Sequence, residues 1–363
     1  MPALPAPLSS LLTATTSWLT SPLAPDDYLG LIDPLLDAHC PAGRVTAVRP
    51  ETPDATTLTL RPGRGWSGHR AGQYLPIGVE MDGVRHWRTY SLTSAPGRAD
   101  GLLTITVKAA PGGRVSPRLA HRTPPGTVLR LGPAQGDFVL PDSLASRILL
   151  VTAGSGITPV MGMLRALMRR RAPHPDVVLL HSAPRARDSI FSAELHAAQR
   201  RLSWLTYDEH HTRPHRRLTP DALERLCPDW RERESWACGP AALLDALEDR
   251  WERAGLRERL HVERFQLAPV LPPDLDAAPG GRVLFTRSGA EIAADASTPL
   301  LAVGELAGVP MPYGCRRGIC FGCLLPLTYG RVRDLRTGDI SDRTGQLIQT
   351  CVSAAAGPVS LDV

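Results

Sequence analysis

Of the 41 basic residues in this 363-residue sequence only one is lysine, Lys108; the rest are arginine. No basic tract interleaved with aromatics occurs, which excludes the usual footprint of a nucleic-acid-binding face. The net charge of +5 and pI of about 9.0 permit an acidic partner. The arginine bias, alongside 35 prolines and abundant alanine, reads as composition rather than as a binding surface. Long apolar runs are also missing: none approaches the ~18 residues a helix needs to cross a bilayer. The opening stretch MPALPAPLSSLLTATTSWLT holds no lysine or arginine and so lacks the charged start of a secretory signal. Seven cysteines are too few to staple so long a chain, and clustered cysteines in a reducing compartment point to metal or redox chemistry. The expected location is the cytoplasm.

What is present reads as an ordinary globular chain. Hydrophobic residues at 43% and charged residues at 21% exclude global disorder. At ~150 residues per domain the length suggests two to three domains. Residues 1–42 form a leader rich in Pro, Leu and Ala, with a short helix expected over 28–38. Residues 43–142 hold six strand-like segments, RVTAVRP, TTLTLRP, GQYLPIGV, HWRTYSL, LLTITVKA and TVLRLGPAQGDFVLP, separated by turn residues. Leu103, Ile105 and Val107 alternate with Thr104, Thr106 and Lys108, the period of half-buried strands. This predicts an antiparallel β-barrel or sandwich. From Arg147 a continuous apolar run meets a Gly-rich turn and then a helical stripe of Val160, Met163, Leu164, Leu167 and Met168. Further buried strands at 176–181 and 235–238, the latter followed by a helix over 241–250, make residues 143–266 a parallel α/β domain. Residues 267–281 are a Pro-rich linker, and 282–363 form a C-terminal domain holding four of the seven cysteines.

Those four, Cys315, Cys320, Cys323 and Cys351, are spaced C-x4-C-x2-C-x27-C. This is the plant-type [2Fe–2S] spacing, in which four thiolates hold two irons. Zinc is the alternative, but a four-cysteine zinc site commonly uses two C-x2-C knuckles and here there is one. Residues 313–323 read YGCRRGICFGC, with Gly314, Gly318 and Gly322 distributed through the loop. Glycine permits the tight turns and close amide approaches that a cluster loop needs. Upstream, Thr298 with Pro299 is expected to cap a short helix running to Leu306.

With these residues in view the sequence resembles the ferredoxin–NADP reductase superfamily over residues 43–363, carrying a C-terminal plant-type ferredoxin domain. The fold implied is multidomain α/β and β: an antiparallel β-barrel flavin domain, a parallel α/β nucleotide-binding domain and a β-grasp ferredoxin domain. Arg88-Thr89-Tyr90-Ser91 matches the family's RxYS. An arginine can fork to a flavin phosphate, a tyrosine can stack on the isoalloxazine, and a serine hydroxyl can reach its redox-active nitrogen; the resemblance assigns these roles to Arg88, Tyr90 and Ser91. Gly112-Gly113-Arg114-Val115-Ser116 offers bare amides before a helix start, suited to a pyrophosphate. This loop and the strand ITVK resemble the FAD-binding members, implying FAD, with FMN as the alternative.

The nucleotide motif is Gly154-Ser155-Gly156-Ile157-Thr158-Pro159, between strand and helix. It is not the Rossmann G-x-G-x-x-G, because Pro159 occupies the last glycine position; in the family's form it places Gly154, Gly156 and Thr158 at NAD(P). In Cys238-Gly239-Pro240 the family's cysteine lies beside the nicotinamide, and Glu263-Arg264-Phe265 resembles the segment whose aromatic residue covers the flavin. After the second α/β strand comes HSAPRAR, with no acid until Asp188. An acid there favours the ribose diol of NADH, and Ser or Arg the 2′-phosphate of NADPH. NADPH is therefore expected, with NADH as the alternative and Ser182, Arg185 and Arg187 as contacts. His210, His211 and His215 sit among Arg and Pro and read as a surface loop rather than a metal site, and Cys40 and Cys227 have no partner pattern.

The resemblance implies an enzyme that passes electrons from NADPH through FAD and a [2Fe–2S] cluster to an outside acceptor, with Ser91 and Cys238 at the hydride step. The leader SPLAPDDYLGLIDPLLDAH, the domain order and the loop CRRGICFGC most resemble actinobacterial-type reductases. Those feed membrane fatty-acid desaturases or related di-iron hydroxylases, which implies docking to a membrane-bound partner. A reductase for a soluble aromatic or phenylacetate-type oxygenase is the alternative, and a non-enzymatic redox sensor a distant one.

Overall fold

The computed structural model describes residues 32–37, 41–81, 84–213, 217–265, 280–314, 316, 318 and 322–363. Of the expected leader helix, only the part at 32–37 falls within these. There the chain makes a 3-10 turn, Pro34–Leu36, whose start is fixed by Asp33 accepting from Leu35 N at 3.0 Å.

The first sheet contains β1 (Ala42–Thr52), β2 (Ala55–Pro62), β3 (Tyr74–Met81), β4 (Val84–Ser91), β5 (Leu103–Lys108) and β6 (Val128–Leu131), in the order β4-β3-β6-β1-β2-β5. The pairs β1–β2, β1–β6 and β2–β5 are antiparallel. Just beyond β4, Leu92 bridges to Ile105 of β5, and Thr93 N donates to Thr104 O at 2.8 Å. The residue just past β4 therefore lies beside β5, at the other end of the strand order. The expected alternation on β5 is only half right, because Thr104 and Thr106 are also buried. Hydroxyl pairs Thr93–Thr104 and Thr57–Thr106, each at 2.7 Å, satisfy that face. Helix α1 (Val115–His121) lies beside β2, with Thr56 Oγ1 donating to Ala120 O at 2.7 Å. The segment GPAQGDFVLP, expected as strand, bridges the sheet at Tyr74–Gln135 and forms no strand of its own among the described residues; Gly136 and Pro141 interrupt the ladder.

The second sheet contains β7 (Arg147–Ala153), β8 (Asp176–Ala183), β9 (Leu205–His211), β10 (Glu234–Cys238) and β11 (Leu260–Glu263), ordered β11-β10-β7-β8-β9. Pairs β10–β7, β7–β8 and β8–β9 are parallel. Helices α2 (Ile157–Arg169), α3 (Ser192–Arg201), α4 (Pro220–Leu226) and α5 (Ala241–Arg253) connect or flank them. The predicted stripe of α2 is buried at Val160, Met163, Leu164 and Leu167. Its Gly162 is required by close approach: a Cβ there would lie 2.4 Å from Leu92 O, just past β4. Arg165 Nη1 donates to Thr93 O at 2.8 Å while its fork holds Glu194 at 2.9 and 2.6 Å.

The third sheet contains β12 (Gly281–Phe285), β13 (Ala290–Ala294), β14 (Leu324–Asp334), β15 (Ile340–Ser341), β16 (Leu347–Gln349) and β17 (Ser353–Leu361). Its order is β13-β12-β17-β14-β15, with β16 on β14 and a parallel β12–β17 pair at the centre. Helix α6 (Leu300–Leu306) buries Leu300, Leu301 and Val303 in the core with Phe285, Leu327 and Val359. Thr298 does not cap α6. Its hydroxyl donates to Asp295 Oδ2 at 2.7 Å, because Asp295 collects the amides of Ser297 and Thr298 in a tight turn. By its contacts the chain forms two units: Met1–Leu75, Tyr90–Cys238 and Glu248–His261 in one, Pro76–Thr89, Gly239–Leu247 and Val262–Val363 in the other. Among the described residues no helix is long and apolar enough to cross a membrane.

Candidate active site

Ligands of open α/β sheets bind at the carboxyl ends of the strands, and that edge is where the nucleotide motifs meet. In register across the sheet, Cys238 of β10 faces Thr152 of β7, Thr152 faces His181 of β8, and His181 faces Glu209 of β9; one step on, Ala153 pairs with Ser182. Gly154 turns at φ +55, the left-handed region glycine tolerates, and Gly154–Gly156 makes a 3-10 turn into α2. No side chain caps α2; its first amide, Ile157 N, bonds back to the carbonyls of Gly154 and Ser155 and closes the turn. Thr158 is buried and its hydroxyl donates to Ser155 O at 2.8 Å, holding the loop shape. Cys238 is fully buried at the strand end, and Gly239 follows it in the turn before α5.

Beneath this edge lies a polar row that sequence patterning missed. His181 is fully buried; its Nδ1 is 2.8 Å from Thr152 Oγ1, and burial drops it to about 4, so it is neutral at pH 7. The Glu209 side chain is 5% exposed. Burial opposes its charge, yet donors from His211 (2.8 Å), Ser192 (2.8 Å) and Tyr207 (2.9 Å) outweigh that and bring the carboxyl down to about 2. Ser182 is buried, whereas Arg185 and Arg187 are exposed on the loop after β8. Beyond β9, Thr212 N donates to Ala183 O at 2.9 Å and Arg213 N to Pro184 O at 3.0 Å. A third exposed arginine, Arg213, is thereby laid against the predicted specificity loop. His215 lies outside the described residues.

The RxYS motif occupies the end of β4. Ser91 is buried and its Oγ has no partner among the described residues. A buried hydroxyl is seldom left so, and an acceptor on a bound flavin suits it. Thr89 and Tyr90 are half-buried. Arg88 Nη1 donates to the carbonyls of Trp87 (2.7 Å) and Gly314 (2.6 Å). Gly112 turns at φ +70 with open space around it, and Gly113 N closes the turn on Ala110 O at 3.0 Å. Val115 is buried, leaving its amide as the group it offers, and Ser116 Oγ accepts from Ala110 N at 3.1 Å. Phe265, just past β11, is half-buried; nearby in sequence, burial pushes the Glu263 carboxyl up to about 8.

Cys315 and Cys320 lie outside the described residues. Cys323 and Cys351 are buried, and the Gly318 amide donates to Cys351 Sγ at 3.2 Å. Gly318 turns at φ +70, where a Cβ would meet Arg336 Nη1 at 2.5 Å. Thr350 Oγ1 donates to Cys323 O at 3.0 Å and ties the two cysteine segments together. An amide aimed at a cysteine sulfur suits a thiolate held by iron, so the two described cysteines fit the cluster.

Residues 51–139 match the oxidoreductase FAD-binding domain, and residues 150–249 the oxidoreductase NAD-binding domain. The chain is an NAD(P)H-dependent flavin oxidoreductase and belongs to the ferredoxin reductase superfamily. It is 48% identical over 348 residues to an NADPH oxidoreductase of Mycobacterium tuberculosis, covering 95% of this chain and 90% of that one. It is 30% identical over 326 residues to the glycine betaine monooxygenase reductase subunit of Pseudomonas aeruginosa, covering 81% and 87%. Among solved structures it shares its fold with phthalate dioxygenase reductase, a modular protein for electron transfer from pyridine nucleotides to [2Fe–2S]. The TM-score there is 0.58 at 24% identity, over 89% of this chain and 97% of that one.

Proposed function

We propose that this reductase carries electrons from NADPH through FAD to a plant-type [2Fe–2S] cluster in residues 282–363, and from there to a separate terminal acceptor. The barrel (43–142), the parallel α/β segment (143–266) and the β-grasp C-terminal domain joined by the 267–281 linker each take one cofactor. When bound, the flavin accepts two electrons as hydride and releases them singly, and the cluster carries one at a time. The chain's own residues bind and orient. The amides of Gly154, Gly156 and Thr158 receive the nucleotide phosphates, and Cys238 with Gly239 positions the nicotinamide. Ser91 donates to the flavin, Tyr90 stacks on it, Phe265 shields it, and Arg88 and Thr89 with Gly112, Gly113, Val115 and Ser116 hold its phosphates. Ser182, Arg185, Arg187 and Arg213 favour the 2′-phosphate of NADPH. Cys315, Cys320, Cys323 and Cys351 ligate the cluster.

The observation carrying this reading is the Gly318 amide on Cys351 Sγ, inside a loop of ferredoxin spacing. The leader and cysteine loop favour a membrane fatty-acid desaturase or di-iron hydroxylase as acceptor. A soluble oxygenase is the second reading, favoured by the relative named as a monooxygenase reductase subunit. Reconstitution with each acceptor, scored by coupled product formation, decides between them. The purified protein should show flavin bands plus absorbance beyond roughly 500 nm, the latter lost in Cys320→Ser. A colourless or zinc-loaded protein would overturn the cluster.

A further inference from the structure

Three contacts gather where the cysteine loop begins. Gly314, the residue before Cys315, is buried, and its carbonyl accepts from Arg88 Nη1 at 2.6 Å. That nitrogen also donates to Trp87 O at 2.7 Å. One residue earlier, the Tyr313 ring meets the buried His86 ring edge-on, with centroids 5.5 Å apart and planes at 65°. The Arg316 guanidinium sits 4.6 Å from the centroid of the same tyrosine. All these residues belong to one compact unit, although Arg88 and Gly314 are 226 positions apart. A buried carbonyl needs a donor, and a charged guanidinium that reaches two acceptors holds them firmly.

We propose that His86 and Arg88 are positioning residues for the internal electron transfer: they dock the Tyr313 and Gly314 end of the cysteine loop onto the strand that ends in the flavin motif. The inference rests on reading Cys315, Cys320, Cys323 and Cys351 as cluster ligands. In electron balance, NADPH is oxidised by two electrons with loss of hydride to the flavin. The cluster takes these electrons singly and hands each to a one-electron acceptor such as cytochrome c, while the proton leaves to water. The dock raises the effective concentration of the loop at that strand. With it, Gly314, the residue before Cys315 in sequence, is hydrogen-bonded to a residue of that strand.

The test is anaerobic stopped-flow reduction of the full-length holoprotein by NADPH, with flavin and cluster bands followed separately. The variants are His86→Leu, Tyr313→Leu and the conservative Tyr313→Phe. In both leucine variants flavin reduction should match wild type, and cluster reduction should slow by about tenfold, the loss of docked population that one aromatic contact can cause. Tyr313→Phe keeps the ring and should transfer at the wild-type rate. The electron paramagnetic resonance signal of the dithionite-reduced cluster should keep its intensity in all variants. Equal cluster rates throughout would overturn the proposal. Loss of the cluster signal in the leucine variants would assign the contacts to cluster assembly and overturn it too. Absence of that signal in wild type would instead sink the cluster reading itself.

Discussion

Replacing Glu209 by glutamine should destabilise the parallel-sheet domain, and the loss should depend on pH. The carboxylate is almost wholly shielded and takes hydrogen bonds from His211, Ser192 and Tyr207, with His196 Nε2 3.2 Å away. Burial alone would raise its pKa; the donors win and lower it from 4.5 to about 2. The gap between those values corresponds to roughly 3 kcal/mol of folding free energy. Because the folded value lies below the unfolded one, this stabilisation is fully present above about pH 4.5 and drains away as pH falls towards 2. Glutamine presents an N–H where the carboxylate had an acceptor, so at least one donor is left facing a donor.

Urea denaturation of holoprotein and variant should show a deficit of about 2–3 kcal/mol at pH 7, narrowing by about 1 kcal/mol by pH 3.5. Since Glu209 also holds His211 next to the Ala183 end of the nucleotide loop, the KM for NADPH should rise in the variant with little change in kcat. A deficit absent at pH 7, or constant down to pH 3.5, would refute the claim that these donors hold a charged carboxylate.

Gly162→Ala should cost about 1–3 kcal/mol or more, because its Cβ would press on a backbone carbonyl that cannot move aside as a side chain could; thermal unfolding of the holoprotein measures it, and an unchanged midpoint would deny the close approach. Glu263, pushed up to about 8 by burial, takes up a proton on folding, so apoprotein stability should fall as pH rises from about 4.5 towards 8. Glu263→Gln should flatten that slope and melt above wild type at pH 8, as followed by calorimetry of the two apoproteins; parallel slopes would contradict the burial.

Much of the site was legible because it is made of local signals. A strand, a Gly-rich turn and a helix announce the GSGITP edge within a few residues. The Glu209 cluster was not legible for the opposite reason. His210 and His211, expected in a surface loop, instead close strand β9, and the partners of Glu209, Ser192 and His196, lie on a helix that only the fold brings beside that strand. Arg213 was missed on the same ground: its place beside the specificity loop comes from β8–β9 pairing across some thirty residues. Thr298 misled because a threonine before a proline looks like a cap, while Asp295, three residues upstream, competes for its hydroxyl and wins.

Hydride transfer needs its reacting atoms within about 3.5 Å in a fixed orientation, so the flavin and nucleotide segments must not drift apart. The chain meets that demand by backbone contact rather than by a flexible interface. Ser91 carries the unpartnered hydroxyl; Leu92, its neighbour, has the carbonyl against which α2 packs at Gly162; Thr93, next again, accepts from Arg165 of the same helix. That helix begins at the Gly156 turn proposed for the nucleotide phosphates. The two residues that follow Ser91 thus hold the helix that starts at the Gly156 turn. Trp236 Nε1, two residues before Cys238, adds a bond to Val139 O at 3.3 Å from the segment after β6. Contacts at Leu92, Thr93 and Val139 join the segment after the RxYS motif and the segment after β6 to the parallel sheet and its first helix. Arg165→Ala should therefore slow flavin reduction by NADPH in stopped flow, and an unchanged rate would deny that these contacts matter to the hydride step.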